Sequence, residues 1–222
     1  MDLVPAERLT PLFEPASVAI IGASANPAKP GGQPLKALLA SGYQGAIYPL
    51  NPKYETLRGL TCYPDLAALP KPVDLAIIAL PAEAVGAALK DCAAHQTKAA
   101  IVLSSGFAET GPAGARLQTE LADLAKKSGL VLCGPNCMGV ISASNRLMAN
   151  FLILRLPQEV AAPDFLSFIS QSGSLGAAVC EALAARGLGL GRLISSGNEA
   201  ALDFADYVAF LAQDPHTQVI AG

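Results

Sequence analysis

Two turns in the sequence have the small residues that an anion-binding loop needs. The first follows a run of Val, Ala and Ile at residues 18–21 and contains Gly22, Ser24, Gly31 and Gly32. The second is Ser170-Gln171-Ser172-Gly173, which also lies between a predicted strand and a predicted helix. Glycine lets a backbone approach a phosphate closely, and the first N–H groups of the following helix point toward such a ligand. A turn that binds nothing has the same composition, and Ser172 could serve only as a helix cap.

The residues after the second predicted strand narrow the class of ligand. A nicotinamide site places a carboxylate about 20 residues after the glycines, where it holds the ribose hydroxyls. This chain has Asn51-Pro52-Lys53 at that place instead. A cation there suits a ligand with a pyrophosphate and a further phosphate on its ribose, which describes both coenzyme A and NADP. A solvated loop lysine is the alternative. We find no Lys, His and Tyr set near the loops that would favour an NADP-linked oxidoreductase.

Other residues that could do chemistry have simpler interpretations. Cys133 and Cys137 lie in LCGPNC with no second Cys or His pair beside them, so we expect buried thiols rather than a metal site. His95 and His216 follow helical segments and are expected either to be exposed to solvent or to cap those helices. Glu199, in SGNEA, is either a site residue of the second half of the chain or a surface acid.

The composition indicates a globular protein and argues against several classes of partner. Of the 222 residues, 52% are hydrophobic and 15% are charged, which gives enough apolar surface for a core. There is no basic stripe with interleaved aromatic residues, so nucleic-acid binding is not expected. Residues 1–16 lack the pattern of a signal peptide, and Gly, Pro or charged residues interrupt every apolar stretch before it could span a bilayer. We therefore expect a cytoplasmic protein without membrane contact.

Short apolar strands alternate with helical patterns, which is typical of a doubly wound α/β fold. In the first part, strands are expected at 18–21, 46–49, 75–80, 99–103 and 130–133, and helices at 34–40, 83–94 and 114–127. Residues 153–163 have the pattern of an irregular linker. About three strands and two helices follow, the first two strands at 165–169 and 193–195. The sequence thus predicts two domains, at 1–145 and 146–222.

Over nearly its whole length the sequence resembles the NDP-forming acyl-CoA synthetases, which include ADP-forming acetate–CoA ligases and are related to the α subunit of succinyl-CoA synthetase. The resemblance depends on LFEPASVAIIGASANPAKPGG, SSGFAETGPAG, GPNCMG, SQSGSLGA and SGNEAALDFADYVAFLAQDP, in that order. In that family the first domain is a Rossmann-like CoA-binding domain, and a flavodoxin-like, succinyl-CoA synthetase-like α/β domain follows. The same module heads some protein lysine acetyltransferases, so a CoA-sensing regulatory module is the alternative function.

The resemblance implies coenzyme A as the ligand and assigns its contacts. They are Gly22, Ala23, Ser24, Gly31, Gly32, Asn51, Pro52, Lys53, Leu80, Pro81, Ser105, Gly106, Phe107 and Glu109. It also implies that Ser170, Gln171, Ser172 and Gly173 bind the phosphate that a catalytic histidine carries.

The resemblance also implies what this chain needs from elsewhere. Neither His95 nor His216 matches the family's histidine motif, and the expected acidic residue would follow Gly222. We therefore expect this chain alone to be inactive and to require an ATP-grasp domain or subunit, in cis or in trans. A homo-oligomer remains open.

Overall fold

The first half of the chain forms a wholly parallel five-stranded sheet with helices on its faces. The computed structural model describes residues 3–151 and 165–222, so the linker predicted at 153–163 lies outside the described residues. The elements are α1 (Ala6–Phe13), β1 (Ser17–Ile21), α2 (Gln33–Ser41), β2 (Ala46–Leu50), β3 (Thr56–Leu57), β4 (Leu60–Thr61), β5 (Leu75–Ile78), α3 (Ala82–Ala94), β6 (Ala99–Val102), α4 (Pro112–Ser128) and β7 (Val131–Cys133). The strand order is β2-β1-β5-β6-β7, which confirms the predicted Rossmann-like parallel sheet.

The apolar runs form strands because alternate side chains enter two different cores. Ile77 contributes to the core on one face of the sheet, which α1 and α2 cover. Its neighbours Ala76 and Ile78 contribute to the core on the other face, which α3 and α4 cover. Successive side chains of a strand point to opposite faces, so a sheet covered on both sides needs no polar alternation. The loops at the strand ends are thereby left as the polar surface.

The second half of the chain forms a mixed five-stranded sheet. Its elements are β8 (Gly139–Ser142), β9 (Leu147–Asn150), β10 (Leu166–Ser170), α5 (Gly173–Ala184), β11 (Arg192–Ser195), α6 (Phe204–Leu211) and β12 (Val219–Ala221). The order is β12-β10-β11-β8-β9, with β10, β11 and β12 parallel and the β8–β9 hairpin antiparallel to them. The sequence pattern missed this hairpin, since β9 has no β-branched residue to mark it as a strand. The sheet changes between Cys133 and Gly139, whereas the domain boundary at 145–146 stays a prediction.

The two sheets share one apolar core, and α1 lies between them. Phe13 of α1 stacks on Phe210 of α6 with ring centroids 4.5 Å apart, and the Val4 N–H donates to Asp206 Oδ1 at 2.8 Å. The core that contains Ile20 of the first sheet also contains Ile194 of the second. The relative position of the two halves is therefore fixed by packing rather than by a tether alone.

A buried arginine connects segments that lie far apart in the sequence. Arg192 of β11 is 1% exposed. Its Nε donates to Asp214 Oδ2 at 3.1 Å, and its Nη2 donates to Glu14 Oε1 at 2.7 Å, just after α1. Its Nη1 donates to the hydroxyls of Ser142 and Ser144 in the β8–β9 hairpin. One guanidinium thus holds α1, the hairpin and the turn after α6 together.

In the ranges that the structure describes, none of the helices has the length and apolar character of a bilayer span.

Candidate functional site

The residues assigned as coenzyme A contacts lie at one edge of the first sheet. They follow β1, β2, β5 and β6, whose carboxyl ends meet at this edge, where open parallel sheets place their ligands. Backbone bonds join the first two loops, because the Gly22 and Ala23 amides both donate to Leu50 O, at 3.0 and 3.1 Å. The side-chain amide of Asn51 donates to Ala23 O at 2.8 Å. Asn51 therefore fixes the end of β2 against the first loop.

The glycines of the first loop allow the loop to pack on itself. A Cβ added to Gly31 would lie 1.9 Å from Gly22 O, and one added to Gly32 would lie 2.1 Å from Asn26 O. The Ser24 amide donates to Gly31 O at 3.2 Å and closes the loop. Contacts this short leave no room for a side chain. The sequence analysis explained these glycines by the approach of a phosphate. The structure shows that the loop requires them for its own packing, with or without a ligand.

The amides that are open to an anion belong to the start of α2. The amides of Gly22, Ala23 and Ser24 already donate to backbone carbonyls. In the described part of the chain, no carbonyl or side chain accepts a hydrogen bond from the amides of Gln33 and Leu35. The first turn of α2 has no capping side chain and no acidic residue. The positive end of the helix dipole is therefore available here.

Three exposed lysines belong to the first loop, to α2 and to the residues after β2. Lys53 is exposed, and its backbone N–H donates to Asn51 Oδ1 at 3.0 Å. Lys29 in the first loop and Lys36 in α2 are also exposed. Among the described residues, no carboxylate forms an ion pair with any of the three. A lysine near a helix N-terminus is unfavourable in an empty protein but favourable beside a bound anion. The sequence analysis named Lys53 and missed the other two lysines, although Lys29 lies within the glycine loop and Lys36 lies in the helix that follows it.

The residues after β5 and β6 differ in how much they can offer to a ligand. Leu80 is half-buried, whereas Pro81 and Ser105 are exposed. Gly106 has a φ of 108°, in the region that favours glycine, and an added Cβ would lie 2.9 Å from Ala82 Cβ. The ring of Phe107 is buried in the core on the α3–α4 face. Phe107 can therefore meet a ligand only through its backbone.

Glu109 holds the turn that precedes it. Its Oε1 accepts from the amides of Gly106 and Phe107 at 2.6 and 3.1 Å, and its Oε2 accepts from Asn198 Nδ2 at 2.5 Å. Burial alone would raise the pKa of Glu109, but these hydrogen bonds outweigh it and lower the pKa below its ordinary value. Glu109 is therefore a carboxylate with both oxygens occupied, and the direct ligand contact that the sequence assigned to it stays a prediction.

The second loop begins α5 and lies beside the loop after β11. Ser172 Oγ caps the helix by accepting from the Leu175 amide at 3.3 Å. The Ser196 amide donates to Ser170 O at 3.0 Å, and Ser196 Oγ donates to Glu199 Oε1 at 2.7 Å. Glu199 is half-buried, with a φ of 53°. It therefore belongs to this loop cluster and does not extend freely into solvent.

The cysteines are structural, and one of them, Cys62, lies against the candidate site, since its Sγ donates to Asn51 O at 3.6 Å. All five cysteines are buried free thiols, as expected for Cys133 and Cys137. Within the described residues, no cluster of His, Cys, Asp and Glu could hold a metal ion. His216 is exposed, while His95 is half-buried at the end of α3, its Nδ1 2.8 Å from Asp91 O.

Comparison with known proteins finds relatives for both halves of the chain. Residues 16–143 match the family described as CoA binding domain, and residues 163–222 match the succinyl-CoA ligase like flavodoxin domain. The chain is 40% identical over 209 residues to an acetate–CoA ligase [ADP-forming] I of Archaeoglobus fulgidus, covering 94% of this chain and 30% of the relative. It is 38% identical over 210 residues to an acetate–CoA ligase [ADP-forming] II subunit alpha of Pyrococcus furiosus, covering 94% of this chain and 44% of the relative.

A solved structure agrees with the fold. The acetyl-coenzyme A synthetase 1 of Ca. Korarchaeum cryptofilum, described as dinucleotide forming and in complex with phosphate and ADP, superimposes with a TM-score of 0.88 at 39% identity. The match covers 96% of this chain and 44% of that one. This chain thus spans less than half the length of the relatives described here.

Proposed function

The chain belongs over residues 16–143 to the family of CoA binding domains, and on that premise we propose that it is the coenzyme A-binding portion of an NDP-forming acyl-CoA synthetase. The observation that carries the proposal is the open start of α2, together with the exposed Lys29, Lys36 and Lys53 in the first loop, in α2 and after β2. Coenzyme A has a pyrophosphate and a phosphate on its ribose. An edge with free amides and unpaired cations complements that charge.

Each residue of the site is assigned to a part of coenzyme A according to the atoms that it has free to bind. The pyrophosphate lies at the Gln33 and Leu35 amides, where the helix dipole favours it. Lys53 pairs with the ribose phosphate. The loop from Gly22 to Ser24 shapes the wall of the site, since its amides are already bonded. Pro81 and Ser105 line the path of the pantetheine toward the second domain.

The second domain contributes the place where a phosphoryl group would be held. The Ser170-Gln171-Ser172-Gly173 loop opens α5, so the amides of Gly173 and Ser174 would face a bound anion, while the Leu175 amide is capped by Ser172 Oγ. Phosphoryl transfer needs charge compensation and positioning more than covalent help. In the complete protein, a phosphoryl group would pass from a nucleoside triphosphate to a histidine, releasing the nucleoside diphosphate, and then to the carboxylate of the substrate. The thiol of coenzyme A would take the acyl group from the resulting acyl phosphate and release inorganic phosphate. An ATP-grasp domain or subunit would bind that nucleotide, and we place the complex in the cytoplasm.

The relatives described above are named as ligases or synthetases, and no observation on this chain favours the CoA-sensing alternative. The chain itself supplies binding and positioning. We therefore expect ligand binding but no turnover from this chain alone.

Calorimetric titration with coenzyme A, dephospho-coenzyme A and NADPH tests the proposal. We expect micromolar or tighter binding of coenzyme A. Lys53→Ala should weaken it about 5- to 30-fold, the equivalent of about 1–2 kcal/mol for one charge-assisted contact. The same variant should leave the affinity for dephospho-coenzyme A unchanged, because that ligand lacks the ribose phosphate. Lys90→Ala, an exposed lysine on α3, is the matched control.

No heat and no thermal shift with millimolar coenzyme A would refute the proposal. Binding of NADPH as tight as that of coenzyme A would instead favour the oxidoreductase class.

A further inference from the structure

We propose that Asn198 of the second domain is a positioning residue for the coenzyme A site, and that it acts through Glu109. The inference rests on the proposed function, because it concerns the turn from Ser105 to Phe107 that lines that site. It assigns to the second domain a part in binding a ligand that the first domain holds.

The shape of the turn depends on Glu109. A 3₁₀ turn at Ala108–Thr110 folds the chain back, so that one carboxylate oxygen accepts from the Gly106 and Phe107 amides together. Gly106 has the left-handed φ of 108° that this reversal requires. Without the carboxylate, both amides would lose their acceptor. Ser105, at the tip of the turn, would then no longer be held in one place.

The position of Glu109 depends in turn on Asn198, 89 residues further along the chain. Asn198 Nδ2 donates to Glu109 Oε2 at 2.5 Å and to Gln118 Oε1 at 2.9 Å. Asn198 Oδ1 accepts from Asn136 Nδ2 at 3.2 Å. Every polar atom of the Asn198 side chain therefore has a partner, and each of these partners precedes the second sheet. An amide is the group required here, since it donates on one side and accepts on the other.

The backbone fixes the loop that carries Asn198. The Asn198 amide donates to Pro135 O at 2.9 Å, and the Ala200 amide donates to Gly134 O at 3.0 Å. Gly197 has a φ of 63°, and an added Cβ would lie 2.3 Å from Pro135 O. Asn198 is thus presented from a rigid support, and its hydrogen bond can orient Glu109 rather than follow it.

The same loop contacts the second candidate site. The Ser196 amide donates to Ser170 O, at the start of the proposed phosphate loop. Residues 196–198 therefore lie between the coenzyme A turn and the phosphate loop. Acyl transfer needs the thiol of coenzyme A and the phosphate loop in a fixed relation, since a small misplacement is costly in rate. This loop sets that relation.

Two readouts on Asn198→Ala test the inference. In the ligand-free protein, amide hydrogen exchange at Gly106 and Phe107 should become about five-fold faster, because Glu109 loses one of its anchors. The affinity for coenzyme A should fall by about three- to ten-fold. Gln213→Ala is the matched control, since Gln213 is exposed just after α6 and its side-chain amide donates to Ala209 O, away from Glu109, so neither readout should change.

A double variant separates action through Glu109 from a direct contact. Glu109→Ala should produce both effects more strongly, and adding Asn198→Ala to it should change neither further, because two residues that act in series are not additive. Asn198→Asp keeps the side-chain shape but places a second carboxylate against Glu109, so it should exceed Asn198→Ala in both readouts. This variant serves if Asn198→Ala does not fold.

Additive effects, or weaker binding with unchanged exchange at Gly106 and Phe107, would overturn the inference. Unchanged exchange and affinity in Asn198→Ala would overturn it as well. If the unaltered protein binds no coenzyme A, the proposed function fails, whereas the exchange measurement still decides whether Asn198 holds the turn.

Discussion

Replacing Asp214 by Asn tests how strongly the buried Arg192 stabilises the fold. The side chains of Arg192 and Asp214 are 1% and 2% exposed, and two hydrogen bonds of 3.1 and 3.3 Å join them. The substitution keeps the size of the side chain but removes its charge and directs an amide N–H₂ or a weaker acceptor at the guanidinium. The cationic Arg192 then remains buried with less compensation.

The structure sets the expected magnitude. Breaking a buried ion pair from one side costs about 3–5 kcal/mol. Arg192 keeps Glu14 at 2.7 Å and the Ser144 hydroxyl at 3.1 Å, so we expect the lower end, about 3 kcal/mol. Glu14→Gln is the matched control. Its side chain is 46% exposed, so its loss should cost no more than about 1 kcal/mol.

Urea unfolding at neutral pH measures both variants, with the free energy of unfolding taken at constant slope. The double variant Arg192→Met with Asp214→Leu should recover most of the lost stability, because apolar residues of similar volume can replace a buried pair at little cost. Equal losses for Asp214→Asn and Glu14→Gln would refute the reasoning. So would a double variant no more stable than Asp214→Leu alone.

The same pair predicts a dependence on pH. Burial alone would raise the pKa of Asp214, but hydrogen bonds from Arg192 and Thr217 outweigh it and hold the pKa below its ordinary value. A carboxylate with a lowered folded-state pKa contributes its full stability above the unfolded-state value of about 3.9. That contribution disappears as the pH falls through the lower folded-state value. As the pH falls from 5, the free energy of unfolding should therefore decrease less in Asp214→Asn than in the unaltered protein. The difference between the two decreases should equal the contribution of one carboxylate.

Two glycines predict opposite outcomes for the same substitution. Gly86→Ala should stabilise the protein by about 0.5–1 kcal/mol in thermal or urea unfolding, because Gly86 lies inside α3 and its added Cβ meets only Leu121 Cδ2, at 3.9 Å. Gly31→Ala should abolish coenzyme A binding in calorimetry, because the Cβ would lie 1.9 Å from Gly22 O and force the loop open. A Gly86→Ala variant that loses stability, or a Gly31→Ala variant that binds normally, would contradict the geometry.

The strands of the first sheet could be predicted because their chemistry is local. Runs such as residues 75–80 are apolar without alternation, and the structure has β5 there, with side chains in two cores. The β8–β9 hairpin could not be predicted in the same way, since β9 has no β-branched residue and a polar turn joins it to β8. The sequence analysis missed helix α1, which contains Pro11, a residue that usually interrupts a helical pattern.

The sequence predicts where the candidate site lies in the chain, but it does not show which contacts each of its residues makes. Spacing predicts that glycines follow β1, yet it does not show that Gly31 packs on the Gly22 carbonyl. The resemblance assigns Glu109 and Phe107 as ligand contacts, and these assignments stay predictions. The sequence did not show that Glu109 accepts a hydrogen bond from Asn198, which is distant along the chain, or that the ring of Phe107 is buried. Long-range contacts decide these roles, and local patterns do not contain them.

Helix α2 makes two contacts of different kinds. Its first turn opens toward the anion edge, while Ala37, in the middle of the helix, packs against the apolar cluster of the second sheet that contains Met148 of β9. Because the helix has only nine residues, a displacement at Ala37 also displaces the first turn. Enlarging Ala37 would therefore alter the grip on a nucleotide that this side chain never touches.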